Sequence, residues 1–385
     1  MNPALALPMA PTAASAGQQP LVVLAGGGTG GHVVPALAMA DAFGRAGSEV
    51  LFIGTQQGYE ATMVPKRGYR IELVPGSRLV GGGLKTKLRG LWTLWQGIRA
   101  ARRILVASRP GLVVGVGGYA SGAALLAAAT LAIPCAIHES NAVPGLTNRV
   151  LGRLVRRVYL GFAAARGAFP AARSVVTGNP VRREIAAVAA ARAWPAGRPV
   201  HVLIVGGSQG SEFLNREVPA LLAAVRDRGV ALQVRHQVGK QDGAPVKATY
   251  AAAGIEADVE TFIDDMAAAY AWADVAITRS GSGTVAELAA AALPALLVPF
   301  PFAAGDHQAA NAAAFCRGGA GHWVRQGEWQ QAPLAAWLAG LLASPEAWQA
   351  ASDAARAVAL PDAAVAVVRD SGATLGIAAW QEVQP

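Results

Sequence analysis

The chain has 385 residues, 53% of them hydrophobic and 15% charged; this excludes a largely disordered protein and leaves length for two buried cores. The two cysteines, Cys135 and Cys316, lie far apart in apolar surroundings, which excludes a disulfide framework or a cysteine metal cluster and points to a reducing cytoplasm. The net charge of +9 divides unevenly: residues 1–178 carry 18 Lys/Arg against 5 Asp/Glu, or +13, and residues 179–385 carry 15 against 19, or −4, so an anionic partner (nucleic acid, a phosphorylated substrate or a membrane surface) is expected at the first half alone.

Residues 1–19 read as a disordered tail: Pro3, Pro8 and Pro11 interrupt them and no Lys or Arg precedes Arg45, so the pattern of a secretory signal is missing. Short Val/Ile/Leu runs then predict strands at Leu21–Ala25, Val50–Ile53, Ile71–Val74, Leu112–Val116, Cys135–His138, Val158–Leu160 and Val175–Thr177. The uncharged stretch between Arg109 and Glu139 is long enough to span a bilayer, but Gly115, Gly117, Gly118, Gly122 and Pro134 divide it into strand, loop, helix and strand. The second half predicts strands at His201–Val205, Leu232–His236, Val259–Ile263, Val275–Thr278 and Ala295–Val298. Helical stretches separate the strands throughout, as in parallel sheets covered on both faces. The fold class is therefore α/β, with two Rossmann-like doubly wound domains: residues 20–182, a linker at 183–199, residues 200–360, and a helical segment at 361–385 that can return to the first domain.

Gly26-Gly27-Gly28-Thr29-Gly30-Gly31 follows the first strand and opens a helix, which is the setting in which a G-x-G-x-x-G series has meaning. A dinucleotide enzyme needs an acid at the end of the second strand, and Leu51–Gln56 supplies none, which argues against NAD or FAD. What survives is a backbone able to approach an anion at a helix start, with His32 beside it as a candidate general base. His138-Glu139-Ser140-Asn141 closes another strand, where α/β sheets place ligands. Gly206–Gly210 suits a pyrophosphate or is a tight packing turn. Arg279–Glu287 exposes helix N–H groups, with Glu287 placed to accept from a ribose diol or to cap the helix. Arg182 can pair with a phosphate or cap a carbonyl, and His307 and Gln308 offer polar groups to a sugar. No D-x-D, H-E-x-x-H or Cys/His cluster occurs, so neither a metal nor another cofactor is expected.

Eight segments in order, Gly26–His32, Gly117–Tyr119, His138–Asn148, Gly178–Arg182, Gly206–Gly210, Phe262–Met266, Arg279–Glu287 and Asp306–Asn311, resemble the MurG family of bacterial peptidoglycan glycosyltransferases, which have the two-domain GT-B fold. The resemblance spans nearly the whole chain after the tail. It implies inverting transfer of N-acetylglucosamine from UDP-GlcNAc to the MurNAc 4-hydroxyl of undecaprenyl-pyrophosphoryl-MurNAc-pentapeptide, at the cytoplasmic face of the inner membrane and among other cell-wall synthesis proteins. On matching positions, Ile263 would meet uracil, Glu287 the ribose, and Ser208 with the N–H groups of Ser282, Gly283 and Thr284 the diphosphate. Val285 and Ala286 continue that segment. Gln308 would hold the sugar, Arg182 would lie beside the nucleotide and Asn141 would reach over from the first domain. Thr29, Gly30, Gly31 and His32 would face the acceptor's pyrophosphate and reacting hydroxyl, with His32 the first choice of base and Glu139 the second. Ser140 stands where the family commonly has Gln, and His307 occupies a variable position.

Residues 79–103 place Leu84, Leu88, Leu91, Trp95 and Ile98 at helical spacing, with Trp92 alongside and Lys85, Lys87, Arg89, Arg99, Arg102 and Arg103 flanking them. This is either a core-facing helix with a solvated basic face or a helix lying on an anionic membrane surface, and the tryptophans and cations fit the second better. Arg149, Arg153, Arg156 and Arg157 extend the basic patch. A nucleic-acid-binding protein would interleave aromatics with basic strands, whereas here the aromatics cluster on a helix. The alternative within the same fold is another GT-B lipid glycosyltransferase, such as a diacylglycerol galactosyltransferase, against which the His138–Asn148 segment argues.

Overall fold

A computed structural model describes residues 20–28, 30–76, 84–207 and 209–384, the side chains of residues 84–87 excepted. The first half runs β1 (Val22–Ala25), α1 (Gly30–Arg45), β2 (Val50–Gly54), α2 (Glu60–Lys66), β3 (Arg70–Leu73), α3 (Leu84–Ser108), β4 (Leu112–Gly115), α4 (Gly118–Thr130), β5 (Cys135–Glu139), α5 (Leu146–Leu151), β6 (Arg157–Leu160) and β7 (Ser174–Val176). Its strands form one parallel sheet in the order β3-β2-β1-β4-β5-β6-β7.

After a short α6 (Arg183–Ala186), the second half runs β8 (Val200–Val205), α7 (Glu212–Arg226), β9 (Leu232–Gln237), α8 (Ala244–Ala252), β10 (Glu256–Glu260), α9 (Met266–Trp272) and β11 (Val275–Thr278). It continues with α10 (Ser282–Ala290), β12 (Ala295–Leu297), α11 (His307–Cys316), β13 (Gly321–Trp323), α12 (Gln331–Ala343) and α13 (Pro345–Ala357). This sheet is also parallel, in the order β10-β9-β8-β11-β12-β13. In each sheet the strand order reverses beside the first strand, between β1 and β4 and between β8 and β11. The loops that leave those strands splay apart there and open a crevice at the carboxyl ends, where ligands bind in doubly wound sheets.

β1 and β4 are buried at every residue, which is why they read as unbroken apolar runs rather than as alternating ones. The first sheet is covered on one face by Phe43, Met39 and Val367 among others and on the other by Leu105, Leu125 and Leu151; the second sheet is likewise covered on both faces. Two strands depart from the sequence reading. β10 lies three residues before the predicted Val259–Ile263, because at a sheet edge its ends are held by polar pairs, Gln233 to Glu256 at 2.9 Å and Arg235 to Glu260 at 2.8 Å. β13 is unpredicted: it is three residues long, at the opposite edge, and without an apolar run.

The chain passes from the first half to the second at Gly178–Arg182, since Ile185 already belongs to the second core and Arg192 donates to the carbonyls of Tyr270, Ala273 and Ala291. The closing helices α14 (Ala363–Leu375) and α15 (Ala378–Gln381) pack on α1 of the first half. Tyr159 bonds Ser371 at 2.8 Å, Arg157 pairs with Asp370 at 3.1 Å, and the Trp380 indole N–H donates to Ser48 at 2.8 Å.

Helix α3 changes character along its length. Ala101 and Leu105 are buried, whereas Leu88, Leu91, Trp92 and Trp95 near its start are exposed by 44–59%. The Trp92 and Trp95 rings stack at 4.8 Å, and the Arg99 guanidinium lies 4.7 Å from the Trp95 ring. Among the described residues no helix is long and apolar enough to cross a membrane.

Candidate active site

The loop after β1 holds Gly26, Gly27 and Gly28 at φ of 139°, 148° and 91°, a region that glycine enters without steric cost. Gly27 N–H donates to the Gly117 carbonyl at 3.2 Å, so the loops after β1 and β4 are tied together. Gly30 and Gly31 start α1, and His32 follows with its Nδ1 3.1 Å from the Gly27 carbonyl oxygen. A carbonyl only accepts, so Nδ1 carries the hydrogen and the neutral ring has its lone pair on Nε2. Burial lowers the His32 pKa from its ordinary 6.5, while Glu139, the Gly27 bond and Glu60 pull it up and His307 adds to the lowering. The ring is thus neutral at pH 7 and able to take a proton. Thr29 lies outside the described residues.

Glu139, at the end of β5, is 2% exposed and accepts four hydrogen bonds. Asn141 N–H and Nδ2 donate to Oε1 at 2.9 and 3.3 Å, and Gly145 N–H and Asn148 Nδ2 to Oε2 at 3.1 and 2.9 Å. The carboxylate therefore organises its own loop and sets Asn141 at the crevice. His138 is buried between the Gly178 carbonyl and Ser140 Oγ, each at 3.3 Å, and burial pushes its pKa down to about 4.

In the second half the described residues named from the sequence lie before α6, after β10, on α10 and on α11. Helix α10 begins at Ser282 behind Gly281, and Gly283, Thr284 and Ala286 are half-buried while Ser282 and Val285 are buried. Glu287 lies one turn in. Its Oε1 meets Arg182 Nη2 at 3.3 Å and its Oε2 accepts from the Tyr270 hydroxyl at 3.0 Å. Burial raises the Glu287 carboxyl pKa, against the opposing pull of Arg182 and Tyr270. Among the described residues the buried Arg182 Nε has no hydrogen-bond partner. Ile263 donates its N–H to Gln237 Oε1 at 3.0 Å, and Gln237 Nε2 donates to the Gly207 carbonyl at 2.9 Å. Gln237 therefore couples the glycine loop after β8 to the Ile263 segment and leaves the Ile263 carbonyl to accept. Gln308 Oε1 accepts from Phe300 N–H at 2.9 Å, and its carbonyl accepts from Ser280 Oγ at 2.9 Å. Ser208 lies outside the described residues.

The two halves meet at this point. Asn311 of α11 is fully buried; its Oδ1 accepts from Ala142 N–H at 2.9 Å, and its Nδ2 donates to Asn141 Oδ1 at 3.3 Å and to the Ser280 carbonyl at 3.2 Å. Helix α1 packs on α10 across the crevice. His32, Glu139 and Asn141 of the first half thus lie toward the junction with α10 and α11, where Arg182 pairs with Glu287, Ile263 shares a core with Val285, and Gln308 stands one turn before Asn311. Leu88, Arg89, Trp92 and Trp95 form a separate surface on α3, and the side chains of Leu84 and Lys85 lie outside the described residues. Among the described residues no group of three or more His, Cys, Asp and Glu is placed to hold a metal ion. Sequence reasoning missed Glu60, Gln237, Tyr270 and the latching role of Asn311; only Asn311 had a signal, its place in the Asp306–Asn311 segment.

Two parallel-sheet Rossmann-like domains closing on each other, with a glycine loop and histidine on one side and a helix N-terminus with a half-buried Arg–Glu pair on the other, define a GT-B glycosyltransferase. The glycosyltransferase family 28 N-terminal domain matches residues 22–160 and the family 28 C-terminal domain residues 201–367. The UDP-N-acetylglucosamine--N-acetylmuramyl-(pentapeptide) pyrophosphoryl-undecaprenol N-acetylglucosamine transferase of Acidithiobacillus ferrooxidans is 47% identical over 348 residues, 90% of this chain and 95% of that protein. The protein of the same name from Pseudomonas aeruginosa is 44% identical over 90% of this chain and 96% of its own. The crystal structure of Acinetobacter baumannii MurG superposes with a TM-score of 0.75 at 33% identity, covering 91% of this chain and 98% of that one. The chain belongs to the MurG family of glycosyltransferases.

Proposed function

We propose that this protein moves N-acetylglucosamine from UDP-GlcNAc to the 4-hydroxyl of MurNAc in undecaprenyl-pyrophosphoryl-MurNAc-pentapeptide, with inversion, in peptidoglycan synthesis. The observation that carries the reaction is the placement of His32, its Nδ1–H on the Gly27 carbonyl, at the start of α1 where that helix packs on α10 of the other half. His32 Nε2 takes the proton of the 4-hydroxyl as that oxygen bonds to the sugar's anomeric carbon and the bond to UDP breaks. Attack from the first domain on a donor held by the second places nucleophile and leaving group on opposite faces of the sugar, which inverts the anomeric centre.

Charge gathering on the departing diphosphate is met by the N–H groups of Ser282, Gly283 and Thr284, by Ser208 and by Arg182, whose unpartnered Nε suits an anionic oxygen. Glu287 accepts from the ribose, the Ile263 carbonyl from the uracil, and Gln308 with Asn141 holds the sugar. Gly30 and Gly31 offer helix-start N–H groups to the acceptor's pyrophosphate, a role in which the family likeness also includes Thr29. Glu139 is the brace of the Asn141–Asn148 loop and, as a nearby anion, favours the imidazolium that forms.

The acceptor's polyprenyl chain requires a membrane. The exposed Leu88, Leu91, Trp92 and Trp95 with Arg89 and Arg99, extended by Arg149 and Arg153, suit an anionic bilayer surface with Leu84 and Lys85 at the helix start. The enzyme would work peripherally on the cytoplasmic face of the inner membrane, beside other cell-wall synthesis proteins. Transfer of radiolabel from UDP-GlcNAc to the lipid-linked acceptor tests the reading; transfer from UDP-galactose to diacylglycerol in its place would overturn it.

A further inference from the structure

The carboxylate of Glu60 is 1% exposed and plays no part in the contacts argued so far, yet three segments converge on it. Its Oε2 accepts from Gly28 N–H at 2.6 Å, and its Oε1 accepts from Thr55 N–H at 2.9 Å and Thr55 Oγ1 at 3.0 Å. Three glycines leave room for it: a Cβ added at Gly27 or Gly58 would come within 2.1 Å of the carboxylate group, and one at Gly54 within 2.5 Å of its Cγ. A charged side chain enclosed in this way is costly unless its hydrogen bonds serve the fold or the chemistry.

Gly28 N–H and the Gly27 carbonyl belong to the same peptide unit. One end donates to Glu60, and the other accepts from His32 Nδ1 at 3.1 Å. We propose that Glu60 is a positioning residue for the transfer reaction, acting on His32 through the Gly27–Gly28 peptide; this rests on His32 being the base. An anion on the N–H polarises the peptide and makes its carbonyl a stronger acceptor, since hydrogen bonds in series strengthen one another. The stronger acceptor fixes the Nδ1–H tautomer, aims Nε2 and stabilises the imidazolium. The 4-hydroxyl proton passes to Nε2, the hydroxyl oxygen bonds to the anomeric carbon, and the electron pair of the broken bond leaves on UDP. The arrangement resembles the carboxylate–imidazole pair of a hydrolase triad with a peptide unit interposed.

Among the described residues, Glu139 from β5, His307 from α11 and the neighbouring His138 also act on the ring, and a substitution at Glu60 leaves all three in place. The test is kcat and KM for UDP-GlcNAc between pH 5 and 9 in wild type, Glu60→Gln, Glu60→Asp, His32→Ala and the double variant His32→Ala/Glu60→Gln. Glu60→Gln should lower kcat about tenfold with KM within about twofold, and move the acid limb of kcat to lower pH, because loss of an anion disfavours imidazolium. Glu60→Asp, which keeps the charge, should keep the wild-type limb. On the His32→Ala background Glu60→Gln should cost nothing further. An unmoved limb, or the same kcat loss in both backgrounds, makes Glu60 a structural brace and overturns the proposal while His32 stands. Unchanged turnover in His32→Ala removes the base itself. Nitrogen-15 spectra of histidine-labelled wild-type protein read the same linkage without a substitution at Glu60: His32 should be the Nδ1–H tautomer, and an Nε2–H tautomer refutes the proposal even if Glu60→Gln does not fold.

Discussion

Replacing Glu139 by Gln separates the two roles open to this residue, base or brace. Both carboxylate oxygens accept two hydrogen bonds each, and every donor comes from residues 141–148. Gln keeps the shape but turns one oxygen into an N–H₂ group facing two donors, Asn141 N–H and Nδ2 or Gly145 N–H and Asn148 Nδ2. Two hydrogen bonds to a charged acceptor are then lost at a site 2% exposed, at about 1.5–3 kcal/mol each, or about 3–6 kcal/mol before the loop relaxes. Even 3 kcal/mol corresponds to a fall of about 6–12 °C in the unfolding midpoint of a domain of this size. Asn141 moves with its loop, so KM for UDP-GlcNAc should rise and kcat should fall together. Scanning calorimetry and steady-state transfer kinetics on the same preparation measure both. If Glu139→Gln keeps its melting temperature and KM but loses turnover by a factor of a hundred or more, Glu139 is the base and the assignment to His32 is wrong.

His32→Ala should lower kcat by about 10²–10⁴-fold with UDP-GlcNAc binding retained in calorimetric titration, and because its pKa lies below 6.5 the wild-type acid limb should fall below that pH. Gly117→Ala would place a methyl 2.8 Å from His32 Nε2; displacement of the ring should cost at least tenfold in kcat, and wild-type kinetics would show that the ring has room to move. His138 is held near a pKa of 4 when folded and has about 6.5 unfolded, so the unfolded state binds the proton more readily; stability should decline as pH falls from 6.5 to 4, by about 3 kcal/mol for this residue, and a His138→Asn variant should melt with a flatter acid dependence. Trp92→Ala with Arg89→Gln should weaken binding to anionic vesicles while sparing transfer to a water-soluble acceptor analogue; equal vesicle retention in sedimentation would show that α3 is not the membrane face.

Strands buried on both faces, such as β1 and β4, are legible in the chain because burial demands an unbroken apolar run. The edges of the first sheet, β3 and β7, lie within one residue of the reading, whereas those of the second departed from it: β13 is too short to show a period, and β10 is placed by polar pairs to β9 rather than by its apolar residues. The glycine loops, His32 and the Arg279–Glu287 segment could be picked out because a strand, a glycine turn and a helix start are local, and local order suffices to expose N–H groups to an anion.

Contacts between distant segments were decided only in the fold. Glu60 is an isolated acid in the sequence, and it becomes the centre of a slot only when Gly27, Gly54 and Gly58 are brought round it. Asn311 and Asn141 are 170 residues apart and meet because two separately built sheets close on each other. The sequence by itself determined two glycine-opened parallel domains of unequal charge. The tertiary structure decided which polar groups hold one another across the cleft, because a hydrogen bond between segments depends on distance in space and leaves no period along the chain.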